Sequence, residues 1–338
     1  MVQQPFGIYT LANDVVYDQL VALLNSIEVN IGSDIPVCVI PFDQRLTKVK
    51  QEVESRHNVT LFADEHSIQR WEAFAQAVWA VHPAAQEKVK TRPPWGKGHH
   101  RKFVTFDGLF DKFVFYDADT LVMKPIEDVF EKLEVYDFVF NDWEHKKPLN
   151  STALDIKVIE KTGLYKEADI RPKLHCSSFF GSKLGIFDEE ELSGLKKKLI
   201  EQAEIKWVPR WWDDAFLFTY MTLRCDRPLF NFTLSSNSQD RTGNCADSDP
   251  FVNIDNVLYN QEGLKPIHRL HYMNYPSINF TRLSQGEAVD IRYQDEFLYY
   301  RFLKEPEKRP QQLKSPNLFT KANRKFKEIA KKVKSNIS

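Results

Sequence analysis

The sequence has few of the residues that mark several common protein classes. Its 338 residues include only 12 glycines and four cysteines, none of them in a C-x-x-C spacing. Four such cysteines in a chain of this length fit neither a zinc site nor a disulfide framework. No G-x-G-x-x-G follows the first predicted strand, which argues against a dinucleotide cofactor.

Long apolar runs and a strong excess of one charge are missing as well. No segment approaches the roughly 20 apolar residues of a transmembrane helix, and no secretory signal is visible. The formal net charge is -1, so the chain as a whole has no electrostatic drive toward nucleic acid. We therefore expect a cytoplasmic protein without a nucleic-acid partner.

The residues that are present suffice for a large globular domain. Apolar residues make up 42% of the chain and aromatic residues 13%, and 338 residues can bury a sizeable core. Runs typical of strands alternate with segments of helical periodicity in the first part of the chain. The strands are predicted at 6–11, 35–40 and 59–62, and the helices at 16–27, 43–55 and 67–81. This alternation indicates an α/β, Rossmann-like fold.

An apolar strand that ends in two carboxylates is the most informative feature of the sequence. The run 113–122 reads FVFYDADTLV and is typical of a buried parallel strand. On an extended backbone Asp117 and Asp119 point to the same side, at the strand end where α/β sheets bind ligands. Two such carboxylates suit Mg²⁺ or Mn²⁺ with open positions for substrate phosphates. The alternative interpretation is an ordinary acidic turn.

Several segments, in the same order, resemble family 8 glycosyltransferases, the family that includes glycogenin and bacterial lipopolysaccharide galactosyltransferases. Residues 9–14, YTLAND, resemble the first strand and nucleotide-contacting turn of the family. Lys102 followed by the strand with Asp117-Ala118-Asp119 resembles its lysine and Asp-x-Asp motif. Residues 176–180 resemble its Asn-Ser-Gly strand, and residues 212–216 its Asp-Gln pair. His271 resembles the late histidine that completes a metal site.

The resemblance implies a GT-A fold with a mixed, mainly parallel central sheet. Residues 1–304 would form one domain, with a nucleotide-binding half at 1–142 and an acceptor half at 143–304. The implied activity is transfer of a sugar from a nucleotide-sugar, expected to be a UDP-sugar, to a hydroxyl of a glycan, glycolipid or protein. Retention at the anomeric carbon is implied, although the sequence alone leaves inversion open.

The resemblance also implies a set of site residues. The donor would be held by Tyr9, Thr10, Leu11, Ala12, Asn13, Lys102, Asp117, Ala118 and Asp119. Mn²⁺ or Mg²⁺ would be held by Asp117, Asp119 and His271, with His268 as the competing histidine. Asp213 and Asp214 would recognise sugar hydroxyls and stabilise an oxocarbenium-like centre.

Each assignment has a simpler alternative. The turn at 10–13 also suits an ordinary strand-to-helix connection. Lys102, with the basic residues at 99–101, also suits a solvated helix start. Asp213 and Asp214 also suit the amino-terminal end of a helix, where acids complement the dipole. Two further function classes stay open: a non-catalytic, transferase-like membrane module and a metal-dependent nucleotidyltransferase.

The sequence departs from the family pattern after the late histidine. The usual Lys-Pro-Trp is absent, and MNYP follows at 273–276. The lysine that grips the diphosphate is therefore unassigned, and Lys265, Arg269 and Lys102 are the possible substitutes.

The last part of the chain, 305–338, differs in composition from the rest. From Lys304 to Lys334 there are eleven Lys and Arg against three Glu, a net charge of +8. Six apolar residues recur there at helical spacing: Phe319, Ala322, Phe326, Ile329, Ala330 and Val333. A basic amphipathic helix of this kind either lies on an anionic membrane surface or packs on the body of the protein. The first alternative makes the protein peripheral on the inner face of the membrane.

Overall fold

A seven-stranded sheet forms the centre of the computed structural model, which describes residues 3–86, 97–209 and 214–316. The described strands are β1 (Gln4–Ala12), β2 (Val37–Pro41), β3 (Val59–Leu61), β4 (Phe110–Asp117), β5 (Thr120–Val122), β6 (Phe138–Phe140), β7 (Phe179–Lys183), β8 (Leu229–Asn231), β9 (Phe251–Ile254), β10 (Val257–Asn260), β11 (Lys265–Pro266) and β12 (Arg269–His271).

The described α-helices pack around these strands. They are α1 (Tyr17–Asn30), α2 (Thr47–Glu54), α3 (Glu65–Val81), α4 (Pro83–Gln86), α5 (Lys97–His100), α6 (Glu127–Leu133), α7 (Ile156–Glu160), α8 (Glu167–Ile170), α9 (Glu189–Ile200), α10 (Asp214–Arg224), α11 (Ser277–Ser284) and α12 (Gln294–Arg301). None of these described helices is long and apolar enough to span a membrane.

The large sheet has the strand order β3-β2-β1-β4-β7-β6-β8. Its first four strands are parallel, β7 is antiparallel to both of its neighbours, and β8 is parallel to β6. Only β7 therefore runs against the others, and β4, β6 and β8 point their carboxyl ends to the same edge. The sheet is mixed and mainly parallel, as predicted.

Apolar side chains fill both faces of this sheet. Because side chains alternate along a strand, Phe113 and Phe115 of β4 pack on one face with Trp71 of α3. Val114 and Tyr116 face the opposite side, in the same cluster as the apolar residues of α1. Buried aromatic residues therefore hold β4, the strand that ends in Asp117, in the core.

Two small sheets complete the fold. β9, β10 and β11 form one of them, and β5 pairs antiparallel with β12 in the other. The large sheet takes strands from both sides of residue 142, so the division into a nucleotide-binding and an acceptor half stays a prediction.

The structure corrects two predicted elements. Residues 113–122 form two strands instead of one, because a turn closed by a hydrogen bond from Thr120 Oγ1 to the Asp117 carbonyl (2.7 Å) separates β4 from β5. The helix whose start was predicted near Lys102 is a 3-10 helix, Arg101–Asp107, and the chain then enters β4 at Phe110.

Candidate active site

The carboxyl ends of β1 and β4 lie next to each other at the centre of the sheet. The parallel register pairs Leu11 of β1 with Asp117 of β4. A cleft of about 320 Å³ opens at this point. Its walls include Leu11, Ala12 and Asn13 from one strand end and Asp117, Ala118 and Asp119 from the other.

The short β5–β12 sheet brings a residue from far along the chain to this cleft. Its antiparallel register pairs His271 with Thr120, and the Tyr272 N–H donates to the Asp119 carbonyl at 2.9 Å. His271 Nε2 then lies 3.5 Å from Asp119 Oδ1. The turn that ends β4 is therefore what allows Asp119 and His271 to meet.

Asp117, Asp119 and His271 form a group that fits a divalent cation. One ligand atom from each side chain lies within 4.8 Å of the other two. Ligands on opposite sides of a bound Mg²⁺ would be about 4.2 Å apart, so little rearrangement is needed. Two carboxylates and one imidazole are donors that Mn²⁺ and Mg²⁺ accept.

The electrostatics of the three groups reflect their crowding. Burial raises the pKa of Asp117; Lys102 opposes this shift, while Asp119 and Asp214 add to it. Burial alone would raise the pKa of Asp119, but His271 holds it below its ordinary value. Burial would likewise lower the pKa of His271, yet Asp119 raises it to about 9.

His268 lies apart from this group. Its ring packs 4.4 Å from that of Phe232, and its Nε2 lies 3.7 Å from Asp128. Burial lowers the pKa of His268 well below its ordinary value. Of the two candidate histidines, the structure thus brings His271 to the two aspartates and places His268 in an apolar setting.

Lys102 lies behind the aspartates and connects two parts of the site. Its ammonium is 3.0 Å from Asp117 Oδ1 and 2.9 Å from Asp214 Oδ2, and the residue is 1% exposed. Burial alone would lower the pKa of Lys102, but the two carboxylates raise it above its ordinary value. The interpretation of Lys102 as part of a solvated helix start is therefore wrong.

Asp214 is the second partner of Lys102 and the first residue of α10. Burial alone would raise its pKa, but Lys102 and His99 hold it below the ordinary value. Asp214 is 2% exposed, and Lys102 links it to Asp117. Asp213, predicted beside it, lies outside the described residues.

Of β1, only the carboxyl end reaches the cleft, together with the residue that follows it. Asn13 Oδ1 accepts from the Val15 N–H (3.0 Å), and its Nδ2 donates to Asp43 (2.9 Å). Tyr9 is fully buried, and its ring packs on Phe110. Thr10 is also fully buried. The structure therefore brings Leu11, Ala12 and Asn13 to the cleft and places Tyr9 and Thr10 in the core.

The sequence analysis missed several residues that line this cleft, among them Arg45 and Ser277. Arg45 follows the carboxyl end of β2 and pairs with Asp43 (2.5 Å). Its position after a parallel strand was the signal that could have identified it. Ser277 begins α11, an element that the sequence analysis did not predict.

The possible replacements for the missing lysine lie in different places. Arg269 is buried, and its guanidinium donates to the Asn141 carbonyl (2.9 Å) and to Ser178 Oγ (3.1 Å). Lys265 lines a different cleft. Lys102 is held between two aspartates.

Comparisons with known proteins identify the fold. No protein-family model and no curated protein matches the sequence. Among solved structures, the apo structure of the bifunctional glycosyltransferase WbbM matches with a TM-score of 0.53 and 15% identity over 91% of this chain. The chain spans about half of WbbM, 52% of its length. This likeness, together with the strand order, confirms the predicted α/β fold of GT-A glycosyltransferases.

Two further structures align less closely. Mouse xyloside xylosyltransferase 1 matches with a TM-score of 0.46 and 9% identity, over 66% of this chain and 82% of that one. The galactosyltransferase LgtC, in complex with donor and acceptor sugar analogs, matches with a TM-score of 0.44 and 11% identity, over 81% and 94%.

Proposed function

We propose that this chain is a metal-dependent glycosyltransferase that moves a sugar from a UDP-sugar to a hydroxyl of a glycan, glycolipid or protein. The observation that carries the proposal is the convergence of Asp117, Asp119 and His271 within 4.8 Å beside a cleft at the strand ends. The fold shared with WbbM, which is a glycosyltransferase, supports the same conclusion.

The cation would be Mn²⁺ or Mg²⁺ held by Asp117, Asp119 and His271. When bound, it supplies positive charge against the diphosphate that departs as the glycosidic bond breaks. The nucleoside part of the donor would bind in the cleft of about 320 Å³, which we call the donor cleft. Leu11, Ala12 and Asn13, which line the cleft, would hold the base and ribose through backbone and amide groups.

Asp214 and Lys102 serve the sugar end of the donor in this proposal. Lys102 keeps Asp214 ionised and fixes it relative to Asp117, so the carboxylate is available to sugar hydroxyls and to an oxocarbenium-like centre. We propose retention, in which the leaving phosphate accepts the proton of the acceptor hydroxyl. No strong base is then required of Asp213 or Asp214.

The metal and the nucleotide are tested by one calorimetric titration of UDP into the full chain. We expect binding in Mn²⁺ that is lost with chelator and weakened more than about 10-fold in Asp119→Asn. Asp226→Asn is the matched control, because Asp226 is exposed and has φ of 51°, a conformation that asparagine adopts readily. UDP binding that neither chelator nor Asp119→Asn changes would contradict the metal assignment.

The activity and its stereochemistry need a donor screen. Nucleotide-sugars are incubated with the chain and Mn²⁺, and slow hydrolysis, which needs no acceptor, identifies the donor. Proton NMR of the first-formed sugar anomer then distinguishes retention from inversion. Release of nucleoside monophosphate or pyrophosphate instead would favour a nucleotidyltransferase.

The basic tail, 305–338, is proposed to bind anionic membrane surfaces. The support is its charge of +8 between Lys304 and Lys334 together with its apolar stripe. Sedimentation of the full chain with phosphatidylserine vesicles tests this. Binding should fall as salt rises, and replacing Lys331 and Lys332 by glutamine should weaken it.

A further inference from the structure

A second and larger cleft lies at the same edge of the sheet as the metal-ligating aspartates. It has a volume of about 880 Å³ and opens beyond the carboxyl ends of β6 and β8, where Trp143 and Thr233 form part of its wall. β4 and β6 are separated by β7 alone. With strands about 4.8 Å apart, β4 and β6 lie roughly 10 Å from each other across the sheet.

A chain of buried polar groups connects the wall of the second cleft to His271. Asn244 Nδ2 donates to the Asn141 carbonyl (3.0 Å), and Arg269 donates to the same carbonyl (2.9 Å). The Asn244 carbonyl in turn accepts from the His271 N–H (2.7 Å). Gly243, the neighbour of Asn244, lines the second cleft. The wall of this cleft is therefore linked to His271 through the Asn244 backbone.

Lys265 is the unusual residue of the second cleft. It is only 7% exposed, yet its ammonium has no ion-pair or hydrogen-bond partner within residues 3–86, 97–209 and 214–316. The ammonium itself is not among the fully buried polar atoms, and the residue lines the cleft. A cation that faces a cleft and has no anion among the described residues is suited to pair with one from a ligand.

The nearby acids do not neutralise Lys265. Asp249 Oδ2 already accepts from the backbone N–H groups of Asn244 (2.8 Å) and Cys245 (2.9 Å). The other acid of the wall, Glu262, is exposed. Two more cations, Lys146 and Arg241, line the cleft and are exposed.

An aromatic pair lies on the wall formed after β6. The rings of Trp143 and His145 are 5.7 Å apart, and Trp143 Nε1 donates to the Thr242 carbonyl (3.1 Å), which fixes the indole. His145 is 5% exposed, and neither of its ring nitrogens has a hydrogen-bond partner among the described residues. A rigid indole offers an apolar face to a sugar ring, and the imidazole adds unused hydrogen-bonding capacity.

We propose that this second cleft binds the acceptor and that the acceptor is an anionic saccharide, whose acidic group pairs with Lys265 while a sugar ring packs on Trp143. The inference rests on the proposed transferase function, since it assigns the second substrate of that reaction. A volume of about 880 Å³ is at the upper end for ligand sites and suits an oligosaccharide better than a monosaccharide.

The test uses the full chain with UDP and Mn²⁺ on an array of matched oligosaccharides. Each carboxylated glycan stands beside its carboxyl-reduced form, and each phosphorylated glycan beside its dephosphorylated form. We expect at least one acidic member to bind 10-fold or more tightly than its neutral match. The two kinds of pair distinguish a carboxylate from a phosphate as the anion.

Variants of Lys265 test whether the preference for acidic glycans arises in this cleft. Lys265→Gln should abolish the 10-fold preference, Lys265→Arg should retain most of it, and the exposed Lys48→Gln should leave it unchanged. Titration of UDP gives the same affinity in all three, which shows that they fold. Equal binding of acidic and neutral glycans, absence of acidic binders, or a preference that survives Lys265→Gln would overturn the inference. Loss of UDP binding in the unmodified chain would instead overturn the proposed function.

Discussion

The two clefts at the carboxyl edge of the sheet differ in how their buried lysines are compensated. Behind the aspartates of the donor cleft, Lys102 has carboxylate oxygens at 3.0 and 2.9 Å. In the second cleft, Lys265 is nearly as buried and has no such partner among the described residues. The carboxylates around Lys102 neutralise its charge within the protein, whereas the charge of Lys265 is open to the anion of a ligand. We therefore propose different roles for the two lysines.

The strongest test of this difference is to neutralise Lys102 and Lys265 in separate variants. Lys102→Met leaves the buried Asp214 and the partly exposed Asp117 without their cation and should lower the free energy of unfolding by about 3–5 kcal/mol. Lys265→Met removes a charge that no described group compensates, so stability should stay the same or rise. Urea denaturation of both variants measures the difference. Equal losses would show that the two lysines do not differ as described.

A second substitution separates chemistry from binding within the donor cleft. Asp214→Asn keeps the shape of the side chain but removes the charge that Lys102 orients. We expect donor-sugar hydrolysis to slow by about 100-fold, while UDP in Mn²⁺ binds within about threefold of the unmodified affinity, because Asp214 is not a metal ligand in the proposal. Steady-state hydrolysis and calorimetry give the two values.

The control for that prediction is Asp226→Asn, the same chemical change at an exposed ion pair. It should alter neither hydrolysis nor UDP affinity. An Asp214→Asn variant that loses UDP affinity and hydrolysis in equal measure would place Asp214 in nucleotide binding instead.

The core behind both clefts contains a histidine that should make stability depend on pH. The His175 ring stacks on Phe140 at 3.7 Å, and burial lowers its pKa to about 3. Because the folded pKa lies below the unfolded value of about 6.5, this contribution is complete above pH 6.5. It is lost as the pH falls toward 3, by roughly 2 kcal/mol at pH 5.

Comparison with His175→Phe isolates that contribution. The variant is less stable at pH 7, since it loses the hydrogen bonds to Thr222 (2.7 Å) and to the Cys176 carbonyl (2.9 Å). Its loss of stability between pH 7 and pH 5 should nevertheless be smaller by about 2 kcal/mol. His66→Gln, at an exposed site, should keep the original slope. An unchanged slope in His175→Phe would contradict the neutral, buried imidazole.

Local patterns predicted the parts of the fold that local residues determine. The first three strands, α1 and α3 follow directly from apolar periodicity, and α3 begins where Asp64 accepts from the His66 N–H (3.0 Å). The β9–β10 hairpin was missed although its loop, Asp255 and Asn256, has φ of 52° and 65°. Such two-residue loops carry a recognisable signal.

The sequence identified the aspartates of the candidate site, but it could not show how the chain brings the other residues to them. Asp117 and Asp119 stand out because carboxylates seldom follow so apolar a strand. His271 is identified only through the family resemblance, since its position depends on pairing between β5 and β12, about 150 residues apart. The role that we propose for Lys265 could not be predicted from the sequence, because the lack of a partner is a property of the folded chain alone.

The smallest expected effect on UDP binding comes from removing one exposed arginine in each cleft. Arg45 lines the donor cleft beside Asp43, and its side chain is 61% exposed. Exposed charges contribute little and are screened by salt, so Arg45→Gln should weaken UDP binding only about threefold, and the difference should vanish at high salt. Arg241→Gln, the matched change in the second cleft, should leave UDP binding unaltered. A donor effect from Arg241 would mean that one ligand occupies both clefts, and the division between them would have to be abandoned.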